Sequence, residues 1–402
     1  MNGDAAIDAV ADLRSPAMLP ELPPFAARDV ADLTPSTIPL PPDPIPGWIA
    51  RGSLRAAQRW ALRVPDAWNG RLVVAGTPAQ RSEFACDRLF TDHVLARGYA
   101  YVSSNKGEGE GIALVSGEDP LELDGSPVPR FRLGGGLALA FWHHARGHLV
   151  ERWLDDLLEI TVAAHELLAD RLDRGPAKTF GLGLSNGGYQ IRRAVEQSEL
   201  FDGAVTWNAV LWTPEHNVLR TVPAAVGAMD AGEPERLLEL GFPPDVVASD
   251  GSGSLYKKNL DVYWRVTAWL HAMQVDPEVS IAYGDVDDPR PAEAWQLKIG
   301  SWHHERSPLI GHRVAAFANT GRLRCPLIDL ASEYDHLVPP GEHFFPYADL
   351  VRAAGRADLY DGRLIPRAQH VDAWCDDPLY PAMRPGWPDV IAAFDELTTL
   401  SP

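Results

Sequence analysis

From about residue 55 onward, short apolar runs alternate with longer amphipathic stretches. Arg59-Trp60-Ala61-Leu62-Arg63-Val64-Pro65 and Arg71-Leu72-Val73-Val74-Ala75-Gly76 predict strands. The second is an unbroken apolar run, the pattern of a strand covered on both faces. A helical stretch from Ser82 to Ala96 follows, with Gly98 suited to its C-terminal cap. Tyr99 to Ser104 predicts the next strand. An amphipathic segment from His148 to Leu172 leads to Ala177-Lys178-Thr179-Phe180-Gly181-Leu182, and Gly203-Ala204-Val205-Thr206-Trp207 is the strand after it. Cys325 to Leu330 and Ala357 to Tyr360 continue the series. Strands alternating with helices predict an α/β fold, a mostly parallel central sheet with helices on both faces.

Two regions break the pattern. Residues 14 to 48 carry ten prolines, which remove backbone donors and fix φ. Residues 1–54 therefore read as a proline-rich arm whose apolar residues, among them Leu19, Leu22, Ile38 and Trp48, pack along the body. Residues 211–320 are helical and aromatic, with Trp212, Trp264, Trp269, Trp295 and Trp302. Lying between two strands, they predict a helical cap over a site at the sheet edge. The core is then 55–210 together with 321–402.

Composition narrows the function classes. The net charge of −19, from 55 acidic and 36 basic residues, gives no general attraction to nucleic acid or anionic lipid. No segment approaches the roughly 20 apolar residues of a membrane span. Three well-separated cysteines, Cys86, Cys325 and Cys375, suggest neither a disulfide framework nor a zinc site. The N-terminal residues lack a basic, apolar leader pattern, so the expected location is cytoplasmic. Homo-oligomer formation is left open.

One motif carries chemistry. Gly183-Leu184-Ser185-Asn186-Gly187 spells G-x-S-x-G directly after a predicted strand and before a helix-compatible segment. In that context the serine sits on a sharp, exposed turn, and the flanking glycines leave room for it. A serine hydroxyl needs a base to take its proton and a carboxylate to orient that base. Asp335 follows the strand ending at Leu330, with Glu333 as the competing acid. His370, after the last strand, is the expected base, with His336 as the alternative. The Asn186 amide is one expected oxyanion donor. The second comes from Ala75-Gly76-Thr77-Pro78-Ala79: Pro78 has no N–H, which leaves Thr77 ahead of Gly76.

Other groupings are weaker. Gly107-Glu108-Gly109-Glu110-Gly111 would repel phosphate, and Gly134-Gly135-Gly136 lacks the strand and helix of a dinucleotide site. Asp285-Val286-Asp287-Asp288 has too few ligand positions for a calcium loop. His143-His144 with His148, and His303-His304, have no completing carboxylate or cysteine. No metal and no cofactor are expected.

With Ser185, Asp335 and His370 in this chain order, the sequence resembles the α/β-hydrolase superfamily. The resemblance covers about residues 55 to 210 and 321 to 398. Leu184-Ser185-Asn186-Gly187-Gly188 is similar to the elbow of 3-hydroxybutyrate oligomer hydrolases and, more loosely, of tannases and feruloyl esterases. Where tannase-type enzymes pair two cysteines, this chain has Leu184 and Val371. The resemblance implies a small-molecule carboxylic ester substrate and an acyl-serine intermediate, with an apolar or oligomeric ester suited to the cap aromatics. The same three residues would serve an acyltransferase, a peptidase or a lyase, and a ligand-binding relative without catalysis is the alternative outside enzymes.

Overall fold

The computed structural model describes residues 5–18, 20, 22, 38–55, 58–79, 81–106, 150–276, 278–279, 298–372 and 375–400, and of residues 107–149 only the backbone of short strands. Among the described residues nine strands form one sheet: β1 (Ala6–Val10), β2 (Gly47–Arg55), β3 (Gln58–Pro65), β4 (Arg71–Gly76), β5 (Ala100–Ser104), β6 (Lys178–Leu184), β7 (Gly203–Trp207), β8 (Leu327–Ser332) and β9 (Tyr360–Ile365). Their spatial order is β1-β2-β3-β5-β4-β6-β7-β8-β9. From β5 to β9 every neighbour is parallel, whereas β1, β2 and β3 add an antiparallel side.

Alternate side chains of the parallel strands serve two cores, because successive residues of a strand point to opposite faces. On one face Val73 and Ala75 of β4 and Leu182 and Leu184 of β6 meet Phe84, Phe90 and Val94. The same core takes in Val390 and Phe394 of the C-terminal helix, Trp387–Leu400. On the other face Leu72 and Val74 join two helices: Leu157 and Leu168 of α1 (Trp153–Leu172), and Ile191 and Val195 of α2 (Asn186–Gln197). The Gly181-Leu182-Gly183 alternation puts no side chain between β6 and α2. A Cβ on Gly181 would stand 2.8 Å from Ile191 Cγ2, so the close approach depends on glycine.

The structure departs from the sequence pattern in places. Strand β1 and all but the last residue of β2 lie within the expected arm and pair with each other, Asp8 opposite Ile49. Between them Leu13, Met18, Leu22 and Ile38 enter the first core. The expected helix from Ser82 to Ala96 is a turn, a wide helical turn at Asp87–Thr91 and a short helix, Asp92–Ala96. Here the buried Asp87 carboxylate takes two bonds from Arg63 of β3, at 2.8 and 2.7 Å, a long-range pairing invisible to helical periodicity. The last strand begins at Tyr360, where Ala357–Leu359 form a 3₁₀ turn.

Between β7 and β8 no described residue joins the sheet. This stretch holds α3 (Val218–Ala231), α4 (Arg265–Val275) and α5 (Pro308–Ala316). Asn217 and Ser307 begin α3 and α5 by accepting from Leu219 N and Leu309 N. Trp212, Trp264, Trp269, Trp302, Phe242 and Phe317 are buried together in a third core, which rests on Trp153 of α1 and Tyr189 of α2. Among the described residues no helix is long and apolar enough to cross a membrane.

Candidate active site

The carboxyl ends of β4, β6, β7 and β8 meet at one edge, where ligands of open α/β sheets bind. Ser185 sits between β6 and α2 with φ +58 and ψ −123, a region that side-chain-bearing residues rarely occupy. The turn is held by Ser185 N donating to Trp207 O, and by Ser185 O accepting from Tyr189 N and Val210 N. Two residues after the serine, Gly187 has no room for a side chain. A Cβ on Gly187 would lie 2.0 Å from Gly76 O and 2.7 Å from Thr77 N; one on Gly76 would lie 2.0 Å from Gly187 O. The elbow and the loop after β4 therefore touch backbone to backbone.

Asp335 stands on the loop after β8 and is fully buried. Its Oδ1 accepts from Leu337 N at 2.8 Å and Val338 N at 2.7 Å. Its Oδ2 accepts from His370 Nδ1 at 2.7 Å. That bond fixes the proton on Nδ1 and leaves Nε2 as the lone-pair nitrogen. The strand, its serine turn and the following helix, with acid and histidine after it in that chain order, decide the architecture. This is the α/β-hydrolase fold.

Within this α/β-hydrolase fold the alternatives take other partners. Glu333 accepts from Arg367 N at 2.8 Å, at the base of the histidine loop. His336 is buried, its Nε2 3.0 Å from Pro244 O and its ring against Tyr256. Burial pushes its imidazole below the usual range. Thr77 and Asn186 flank the Gly76–Gly187 contact, both nearly inaccessible. The Asn186 side chain turns toward α4, its Nδ2 3.4 Å from His271 Nε2. His271 Nδ1 donates to Thr267 O at 2.8 Å, so Nε2 faces Asn186 as an acceptor. Burial pushes His271 down to about 4; the Thr267 bond opposes this and the Lys106 charge adds to it.

Asn208 was not singled out from the sequence. It follows β7 directly at φ +49, and its carboxamide is a clamp. Nδ2 donates to His370 O (2.7 Å), Gln369 O (3.0 Å) and Ser332 Oγ (3.0 Å), while Oδ1 accepts from Ser332 N (2.6 Å). Because Trp207 O holds Ser185 N, adjacent residues of one strand end secure the serine turn and the histidine loop. A polar residue at the carboxyl end of a predicted strand was the signal available. Beneath the site Arg192 of α2 reaches both Asp329 oxygens, at 3.0 and 2.8 Å. Thr206 and Tyr360 also donate to that carboxylate.

The aromatics expected to wall an apolar substrate are not exposed for that task. Trp212, Trp264 and Trp269 have no accessible surface, and Trp264 Nε1 donates to His336 O at 2.6 Å. Cys86, Cys325 and Cys375 are not joined in a disulfide. Among the described residues no group of three or more His, Cys, Asp or Glu is placed to hold a metal. Gly107–Gly111, Gly134–Gly136, the His143-His144-His148 set, Asp285–Asp288 and Trp295 lie outside the described residues.

No family model matches the chain and no curated protein matches it. Among solved structures it is similar to the tannin acyl hydrolase from Aspergillus niger, with 12% identity over 98% of this chain and 83% of that one, at a TM-score of 0.48. The Pyrobaculum calidifontis esterase gives 13% identity over 94% and 91%, at 0.47. A third is the Pyrococcus horikoshii acylaminoacyl peptidase, with 11% identity over 85% of this chain, at 0.43. This chain spans 40% of that peptidase's length. Likeness at this level fixes neither substrate nor reaction.

Proposed function

We propose that the protein is a serine hydrolase that cleaves carboxylic esters through an acyl-serine intermediate. The observation that carries this reading is the pairing of a strained serine turn, Ser185 at φ +58, with the 2.7 Å Asp335–His370 bond at the same sheet edge.

In this reading His370 Nε2 takes the Ser185 proton as Oγ attacks the ester carbonyl. The carbonyl π electrons move onto oxygen, and the Asn186 and Thr77 amides stabilise that charge. Asn186 opens α2, so the helix dipole adds to its donor. The buried Asp335 carboxylate stabilises the imidazolium through Nδ1. Collapse breaks the ester C–O bond, and the imidazolium returns its proton to the departing alcohol. Water then repeats the cycle and releases the acid. Residues 211–320 act as a cap; Trp264 and Pro244, bonded to the Asp335–His336 loop, are its fixed contacts with the site. Substrate contacts then come from the cap's underside, where α4 presents His271 to Asn186. A short hydroxyalkanoate oligomer is the substrate class we favour, from the elbow sequence alone.

The test is intact-protein mass spectrometry after a fluorophosphonate probe, on wild type and Ser185→Ala, with p-nitrophenyl acetate turnover in parallel. One adduct on wild type and none on the variant is expected. Equal labelling of both, or turnover that survives Ser185→Ala, overturns the reading.

A further inference from the structure

Lys106 lies just past β5 and has no accessible surface, an uncommon place for an ammonium group. Its Nζ donates to Thr77 O at 3.0 Å and to Ala79 O, so it closes over the loop after β4 from both sides of Pro78. It also lies 4.4 Å from the centroid of the Trp153 ring. Thr77 is fixed a second time through its side chain, Oγ1 donating to Ser104 O at 2.5 Å. The carboxyl end of β5 thus grips Thr77 twice, and the Thr77 amide nitrogen packs against Gly187. On the opposite side, the same charge is felt at His271, the acceptor for Asn186 Nδ2.

We propose that Lys106 is a positioning residue of the oxyanion hole: it holds Thr77 O and Ala79 O so that the Thr77 amide stands beside the Asn186 amide, and it brings a buried positive charge to that place. This rests on the serine hydrolase reading above. The lysine touches no substrate atom. It acts on the loop conformation and on the field that meets the developing oxyanion, where preorganised dipoles and charges count most.

The experiment compares an oxoester with its thionoester on wild type, Lys106→Met and Lys106→Gln, with melting curves recorded for each. Sulfur is the weaker hydrogen-bond acceptor, so damage to the oxyanion hole falls mainly on the oxoester. Lys106→Met is expected to lower kcat on the oxoester by roughly 10–100-fold, with KM nearly constant. The oxo-over-thiono preference should fall by about tenfold. Lys106→Gln keeps a donor without the charge and should fall between the two. An unchanged preference, or equal losses on both substrates, overturns the proposal, as does loss of folding in both variants, which would make the lysine a stability element. If wild type is labelled at Ser185 and the preference does not move, only the role of Lys106 falls. If wild type is not labelled, the hydrolase reading falls and takes this one with it.

Discussion

Replacing Asn208 with glycine isolates the carboxamide clamp, because glycine adopts the φ of +49 without strain. The substitution removes one acceptor and a donor group shared among three oxygens. Taken as three net bonds of about 1 kcal/mol each, with a further ~1 kcal/mol for the greater freedom of glycine in the unfolded chain, the loss is about 3–5 kcal/mol. Unfolding entropy of about 2.1 cal/mol/K per residue over 402 residues turns that into a drop in Tm of about 4–6 °C. The histidine loop also loses its tie to β7. A shift of about 1 Å in the imidazole costs on the order of 100-fold in kcat. Differential scanning calorimetry and p-nitrophenyl acetate turnover read the two effects on one sample. Asn208→Asp keeps an acceptor for Ser332 N but sets a carboxylate oxygen against two carbonyls, so its turnover should be the slower of the two. A Tm within about 1 °C of wild type would refute the bond count. A lower Tm with kcat unchanged would refute the link between the clamp and His370.

Three further outcomes are expected. Asp335→Asn keeps an oxygen for Leu337 N and Val338 N but no longer accepts from His370 Nδ1; kcat should fall by roughly 10⁴-fold with little change in Tm, checked by steady-state kinetics and a melt. Gly187→Ala drives a Cβ to 2.0 Å from Gly76 O, so a soluble variant should melt several degrees lower and lose fluorophosphonate labelling. Asp372, which accepts from Gly386 N and Trp387 N, has its pKa raised to about 6, chiefly by burial. Its folded-state pKa lies above the unfolded one, so the protonated form is favoured in the fold, and that stabilisation is lost as pH rises from about 4 through about 6. The Tm of Asp372→Asn relative to wild type should therefore climb over that interval. A flat difference between the two melting series would count against the burial argument.

The parallel strands were legible because each is a short apolar run that must be covered on both faces. Arg71–Gly76 and Gly203–Trp207 have the limits that their sequence predicts, and the others start one to three residues later than expected, the last running on to Ile365. The serine turn was legible because its steric demands are local, one glycine on either side. What could not be read depends on partners far along the chain. Pairing of β1 with β2 needs residues about forty positions apart to meet. Asn208 and Lys106 are ordinary polar residues until the His370 loop and the Thr77 loop arrive beside them. Trp212, Trp264, Trp269 and Trp302 signalled apolar surface correctly, but nothing in their spacing told a packed interior from a substrate wall.

The contact between Gly76 and Gly187 also sets a rule for how this site can change. Each glycine is kept small by the backbone of the other, so neither position can take a side chain first while its partner waits. No sequence of tolerated single substitutions leads away from the pair. A saturation library over both positions should recover the parental combination almost alone. Variation in activity must then enter through the loops and helices around that contact, leaving the contact itself as the fixed point of the protein's mutational landscape.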